Sequence, residues 1–511
     1  MRGNQLKAGA FLSYLQTAVS VLVGLIYTPV MIRLLGQSEY GLYNTVASTI
    51  SILSVLSLGF NSGYIRYYSG YKKEENRDAI NSLNGLFLLI FCIIGLVALA
   101  CGLFLTEHLE LVFKSGLTSE EYGIARTLML LLTFNLAISF PMSVFQNIIS
   151  AHERFVFLKL LGVLKTVLGP MLTLPLLLKG YRSVALVSVT VLVSLIADIC
   201  YLVYVKKILK EKFCFRHFEK GLLQHLFTYT VFIALNTIID QINWNVDKVL
   251  LGRFKGTEAV AIYAVGFTLY NYYMTISLAV SGVFTPRIHK MYNDFKDDPE
   301  KMNAGFTDLF IRVGRIQFLI LGLVASGIVF FGRTFIHFWA GVGFEDAYPV
   351  ALLLVLPASV ALVQNVGIEV QRAQNKHQFR SIVYTFMALI NLVLSWFLCQ
   401  MYGPVGSAFG TAVSLIIANG IIMNIYYHRH CGIDIPSFWN NILRMSMGFL
   451  IPFGFGFIVN RFLPGGSIIW LGIGIVAYTL VYCVSVWMIS MNDYEKTLIS
   501  KPLRRILRRN R

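Results

Sequence analysis

The stretch "YTPVMIRLLGQSEYGLYNTV", Tyr27 to Val46, closes one apolar run and opens the next. Nearly the same rim returns downstream as "VDKVLLGRFKGTEAVAIYAV", Val246 to Val265. Leu34-Leu35-Gly36 matches Leu250-Leu251-Gly252, and Tyr43 matches Tyr263 after four extra residues in the second copy. A fainter echo pairs Pro141 and Gln146-Asn147 with Pro357 and Gln364-Asn365, and both echoes begin at an offset of 216 residues.

The runs on either side of these rims define the class of protein. Hydrophobic residues make up 56% of the chain and charged ones only 14%, against about 25% charge in soluble domains. Asp, Glu, Lys and Arg are missing from 8–32, 40–65, 79–106, 127–151, 259–286, 347–368, 381–428 and 462–492. A helix of roughly 20 such residues spans a hydrocarbon core, whereas a soluble helix shows a polar stripe. The reading is an all-α polytopic membrane protein with 14 transmembrane helices. The expected spans are 8–32, 42–65, 83–106, 124–148, 156–178, 183–205, 222–246, 258–286, 313–337, 348–368, 382–400, 404–427, 441–460 and 468–490. The split near 400–406 rests on the Gly-Pro content of "QMYGPVG", which suits a tight turn.

Charge placement orients these spans. Of 43 Lys and Arg, 32 fall in the segments that fourteen spans would leave on the side of both termini, and ten on the other. The positive-inside rule then places both termini in the cytoplasm. The net charge of +17 reads as a membrane-orientation signature, and no nucleic acid is needed, because the basic residues are divided among short loops. The tail "KPLRRILRRNR" is expected to touch anionic headgroups. Seven scattered cysteines in no metal-ligand spacing read as apolar packers. The basic start and long first apolar run read as a membrane helix rather than a cleaved leader.

Both echoes are separated by six expected spans, an even number, so the repeats share one orientation. That is the parallel type of internal repeat. It divides the chain into an N-terminal six-helix lobe, 1–210, a C-terminal six-helix lobe, 211–430, and a remainder, 431–511, with helices 13 and 14 and the basic tail. Two matched bundles facing a shared gap suit alternating access. The Leu-Leu-Gly of each rim is expected to end a helix, with glycine supplying a dihedral that other residues resist.

The stretches Thr28 to Tyr68, "TPVMIRLLGQSEYGLYNTVASTISILSVLSLGFNSGYIRYY", and Asp247 to Gly266, "DKVLLGRFKGTEAVAIYAVG", resemble the bacterial polysaccharide-biosynthesis membrane proteins. These are the oligosaccharide flippases of the multidrug/oligosaccharidyl-lipid/polysaccharide exporter superfamily. The resemblance implies a V shape in the bacterial cytoplasmic (inner) membrane. It implies movement of a polyprenyl-pyrophosphate-linked oligosaccharide from the cytoplasmic to the outer leaflet, with membrane lipids, glycan polymerase or glycosyltransferases as partners. No enzyme activity, metal or cofactor is expected, and the candidate coupling ion is H+ or Na+.

Such a cargo needs cations and neutral hydrogen-bonding groups. Lys165, between Gly162 and Gly169 in an apolar span, is the leading cavity cation, because an ionised lysine facing lipid costs about 2.5–3.5 kcal/mol or more. Asp198 in the next span is its candidate ion-pair or coupling partner. Arg66 beside Asn61, Ser62 and Tyr64 forms a candidate phosphate or sugar contact. Arg33, Arg126, Arg312 and Arg315 read as snorkelling rim anchors. Asp240, Asn243 and Asp247 recur at i, i+3 and i+7 on one helical face, either lining the passage or packing inward, and Asp240 is a second coupling candidate. Asn135, Gln146, Asn147, Gln364, Asn365, Asn391 and Asn419 read mostly as interhelical glue. Two alternatives stand beside the flippase: a drug or cation exporter of the same superfamily, disfavoured because spans one to five hold no internal acid, and a non-transporting scaffold for envelope assembly.

Overall fold

A computed structural model describes residues 2–114, 117–216, 221–462, 467–498 and 500. Among the described residues there is no β-strand. Ten helices are long and apolar enough to cross a membrane, or up to eleven if the pair Ala347–Val363 and Val366–Ala373, bent by 45°, is one span. The protein is an all-helical, multi-pass membrane protein. Two features reconcile this number with fourteen. His377–His430 is one continuous stretch, but Gly403 inside it has φ 59 and ψ −136, which puts a sharp turn where the Gly-Pro signal predicts one. The seventh and eighth expected spans are helical, over Leu222–Gln241 and Thr257–Ser281. The basic tail at 501–511 lies outside the described residues.

The chain divides into two compact units, Met1–Ala264 with Ala388–Ser407, and Val265–Met387 with Ala408–Arg511. The first holds α1 (Arg2–Leu35), α2 (Gln37–Ile52), α3 (Phe60–Lys73), α4 (Arg77–Glu107), α5 (Ser119–Ala151), α6 (Phe155–Leu178), α7 (Arg182–Val203), α8 (Leu222–Gln241) and α9 (Asp247–Phe254). It also holds the start of α10 (Thr257–Ser281). Local chemistry sets the helix ends. Asn76 accepts from the Ala79 amide at 3.0 Å to cap α4, and Thr118 with Glu121 forms a capping box on α5, satisfying amides a helix start leaves open. A short 3-10 turn, Leu53–Ser57, interrupts the second span before α3. Leu58 and Gly59 then take left-handed φ values of 46 and 70. A Cβ on Gly59 would collide with Ile233 of α8, so the turn needs glycine twice over. Phe60, Tyr64, Phe87, Phe91 and Phe140 fill the core beneath it.

The two echoing rims meet inside this unit. Ser38 and Thr257 share a hydrogen bond of 2.8 Å. Gly41 lies so close to the Thr257 carbonyl that no Cβ fits, and Thr45 occupies the space over Gly252. Tyr263 donates to the buried Asp247 carboxylate at 2.7 Å. Gly36 ends α1 with φ +80, as its motif predicts, but Gly252 sits within α9 and the turn falls to Gly256, φ +85. The second rim's four extra residues let its helix run one turn further before glycine is needed.

The second unit contains the remainder of α10, α11 (Thr285–Asp294), α12 (Pro299–Ala340), α13 (Ala347–Val363), α14 (Val366–Ala373), both ends of α15 (His377–Leu415), α16 (Met423–His430) and α17 (Ile435–Ser446). The last two spans include α18 (Leu450–Phe462) and α19 (Ile468–Ser485). Ile435, Phe438, Ile442 and Met445 form the buried stripe of α17, at the i, i+3, i+7 spacing of an amphipathic helix. Arg315 corrects the rim-anchor expectation. Its side chain is only 10% exposed, and it donates to both oxygens of Glu495 at 2.6 and 2.9 Å and to the Ser490 carbonyl at 3.0 Å. The bidentate pair secures the segment after the last span to α12. Arg312 pairs with Asp308 at 2.8 Å, and Arg126 with Glu107 at 2.7 Å.

Truncating one partner of a buried pair leaves the other charge uncompensated, at a cost of about 3–5 kcal/mol. Arg315→Ala should therefore lower the thermal unfolding midpoint in detergent clearly, whereas the apolar double variant Arg315→Met with Glu495→Leu should recover most of the loss. Equal loss in both would contradict the pair's role.

Candidate functional site

α6 carries an uninterrupted functional face. Phe155, Leu158, Lys159, Gly162, Lys165 and Thr166 follow the i, i+3, i+4, i+7 rhythm of an α-helix, and all six line a single cavity of about 640 Å³. α1 contributes Gln16, α5 contributes Gln146, Asn147 and Ser150, and α7 contributes Tyr201. The volume lies in the range of small-molecule sites, about 300–1,000 Å³. Gly162 makes room for the carboxamide of Gln16, which would meet any Cβ there.

The charges around this cavity are asymmetric. Lys159 and Lys165 lie in its wall, and no carboxylate is among its lining residues. Asp198 is buried at 6% exposure, lies near Gln146 and feels the charge of Lys165, without a contact ion pair between Asp198 and Lys165. The cavity therefore presents two cations to its contents, while the nearby acid is sequestered in the wall.

The remaining candidates distribute differently. Asn61 joins the cavity wall indirectly: Asn147 donates to its Oδ1 at 2.7 Å and Ser143 at 3.3 Å. Arg66 is exposed one turn further along α3. Asp240 is exposed on α8, Asn243 half-buried, and Asp247 buried at 3%. These three do not form one continuous face, because Ile242–Val246 is a π-helical turn whose i→i+5 bonding shifts the phase of everything after it. The sequence reading missed Gln16, Ser150, Lys159, Thr166 and Tyr201 as cavity groups. The stripe of α6 could have identified Lys159 and Thr166, whereas Gln16 and Tyr201 depend on tertiary packing.

The internal repeat explains why the cavity exists where it does. The α5–α6 junction and the α14–α15 junction are alike: Glu153 and Asn375 both have positive φ, 60 and 56. Phe157 stacks on Tyr204 at 4.1 Å, and Phe379 stacks on Tyr426 at 4.1 Å. In that register Tyr384 stands where Gly162 stands. Tyr384 donates to Asn419 at 2.5 Å, so the second repeat carries an aromatic ring at the position where the first has the glycine that admits Gln16. Met387 likewise stands in the place of Lys165.

A cavity open to water has a direct chemical signature. With the seven native cysteines replaced, a cysteine at 165 should react readily with a water-soluble thiol reagent, and one at 198 roughly tenfold or more slowly because only its exposed thiolate reacts. Equal protection at both positions would mean the cavity is dry.

Comparison with known proteins gives the chain its family. Residues 6–292 match the family model described as "Polysaccharide biosynthesis protein". Over 430 residues the chain is 19% identical to the "Putative O-antigen transporter" of Shigella flexneri, spanning 81% of this chain and 96% of that protein. Among solved structures it resembles "Lipid II flippase MurJ, inward closed conformation", with TM-score 0.69, 17% identity, and coverage of 96% of this chain and 99% of that one. It also resembles an inward-facing MATE multidrug resistance transporter of the MOP superfamily, with TM-score 0.60, 13% identity, and coverage of 82% and 99%. The structural likenesses concern the fold alone. The chain belongs to the polysaccharide biosynthesis protein family and has the fold of the multidrug/oligosaccharidyl-lipid/polysaccharide exporter superfamily.

Proposed function

We propose that this protein is a flippase that moves a polyprenyl-pyrophosphate-linked oligosaccharide from the cytoplasmic to the outer leaflet by alternating access. The observation that carries this reading is the lining of the α6 cavity, which has two lysines, no carboxylate, and a ring of Gln, Asn, Ser, Thr and Tyr. Lysines suit a pyrophosphate as point charges, and neutral amides and hydroxyls suit sugar hydroxyls. A site selecting a cationic drug needs an acid facing its contents, and Asp198 is buried in the wall instead. That difference favours the anionic cargo over the exporter reading. The relatives named above as an O-antigen transporter and a lipid II flippase support the same cargo class.

On this reading both termini are cytoplasmic, from the Lys and Arg bias, and the membrane is the bacterial inner membrane. The seam of Ser38, Gly41, Thr257 and Gly252 is one closure of the cycle. Transport draws on an ion gradient, H+ or Na+, and glycan polymerase or glycosyltransferases act before or after it.

Reconstituted vesicles test the reading. The protein should carry a fluorescent undecaprenyl-pyrophosphate oligosaccharide between leaflets. Losing a charged contact of about 1.5–3 kcal/mol should slow Lys165→Ala roughly ten- to a hundredfold, with Lys165→Arg retaining most of the rate. An unchanged rate in a well-folded Lys165→Ala protein would contradict the assignment.

A further inference from the structure

A second polar cluster lies outside the cavity, where the segment after the sixth span returns along the bundle. Residues 210–216 run without helix against α4. The Cys214 amide donates to the Asn81 carbonyl at 2.9 Å, and Gly85 has no space for a Cβ beneath the Cys214 carbonyl. Glu211 holds this connector at its start. One carboxylate oxygen contacts His152 Nε2 at 3.1 Å; the other accepts from Asn84 Nδ2 at 3.2 Å. Asn84 is fully buried and accepts from the Tyr64 hydroxyl at 2.6 Å.

The ring of His152 meets an acceptor at each nitrogen. Nδ1 lies 2.9 Å from the Ile148 carbonyl oxygen, and Nε2 lies against the Glu211 carboxylate. Both partners are pure acceptors, and only an imidazolium donates from both nitrogens. A neutral ring keeps only one of these two donations, and the Tyr68 hydroxyl, 3.3 Å from Nδ1 and 3.1 Å from Nε2, can donate to the nitrogen left bare.

The second repeat serves as an internal control. Its junction shares the positive-φ residue and the aromatic stack described above. The Ile433 amide donates to the Tyr427 carbonyl at 3.1 Å, as the Glu211 amide does to Val205 at 3.3 Å. In that register Gln374 stands for His152 and Ile433 for Glu211. The fold of this junction therefore forms without a titratable pair, and the first repeat carries one for a separate reason.

We propose that His152 and Glu211 form a proton-binding site whose occupancy sets how firmly the connector is clasped to α3, α4 and α5, making the proton the ion coupled to this protein's cycle. The coupling half rests on the transport reading above; the site itself does not. The other charged and titratable groups nearby are Lys72, which donates to the Ala151 carbonyl at 3.4 Å and lies over the Tyr68 ring, Arg77, whose charge reaches Glu211, and Tyr64, Tyr68 and Lys212. Burial pushes the Glu211 carboxyl up, but the His152 bond and charge, Asn84 and Arg77 outweigh it and hold it below its ordinary value. Its contribution is therefore present above the usual carboxylate range and fades only as pH falls through the lowered value. The clasp is strongest while Glu211 is ionised and His152 donates from both ring nitrogens.

Hydrogen–deuterium exchange of 210–216, corrected for the intrinsic pH dependence of exchange, reads the clasp without any cargo. Protection in the wild-type protein should fall about tenfold between roughly pH 6 and pH 8.5. It should be flat in His152→Gln, which borrows the second repeat's residue, and in Glu211→Gln. In vesicles with an imposed pH gradient, transport of the fluorescent undecaprenyl-pyrophosphate probe should lose its pH dependence in the same variants. Wild-type pH dependence of protection persisting in both variants would overturn the site. Flat protection in the variants with pH-dependent transport intact would overturn the coupling. A wild-type protein that moves no probe would count against the transport reading, while the exchange result would still decide the site.

Discussion

Two backbones can approach as α2 and the α9–α10 turn do only where one side of each contact lacks a Cβ. Gly41 lies against the Thr257 carbonyl, and Gly252 lies beneath Thr45. Without water to compete, close packing of small residues is what holds helices together in a bilayer. The hydroxyls along this face are already satisfied. Thr45 and Thr49 donate to the carbonyls of Gly41 and Thr45 at 2.9 and 2.8 Å, so they cost little to bury. Fit and the hydrogen bond between Ser38 and Thr257 at 2.8 Å both contribute to the contact. The repeat of the rim in the sequence is the repeat of the two surfaces that meet.

The repeats share backbone geometry and differ in chemistry. Both junctions keep a left-handed residue and a stacked aromatic pair. Around the first of them stand Gly162, Lys165, His152 and Glu211; at the matching places around the second stand Tyr384, Met387, Gln374 and Ile433. One half keeps an open, cationic, titratable environment, and the other closes it with an aromatic ring and neutral groups. The lysine-lined cavity and the His152–Glu211 contact then both fall in the first repeat, a few residues apart, where Asn147 and Ser150 line the one and His152 belongs to the other.

Much of this was legible in the residues. Charge-free runs located the spans, because hydrocarbon tolerates few ionised groups, and Gly403 turns the chain where "QMYGPVG" marks a tight turn. Lys165 stood out for the same reason and lines the cavity. What periodicity could not reveal was phase and partnership. A π-helical turn at Ile242–Val246 separates Asp240 from Asp247 despite their helical spacing. Arg315 looks like a rim anchor until Glu495, 180 residues away, is found beside it. Gln16 and Tyr201 reach the cavity through helix packing that no local pattern encodes.

In the proposed transport cycle the contact between the two copies of the rim opens. Ser38→Cys with Thr257→Cys, in a background lacking the native cysteines, tests it by disulfide trapping. Ready oxidation should arrest probe translocation between leaflets, and reduction should restore it to the uncrosslinked rate. Full transport by the fully crosslinked protein would contradict the account.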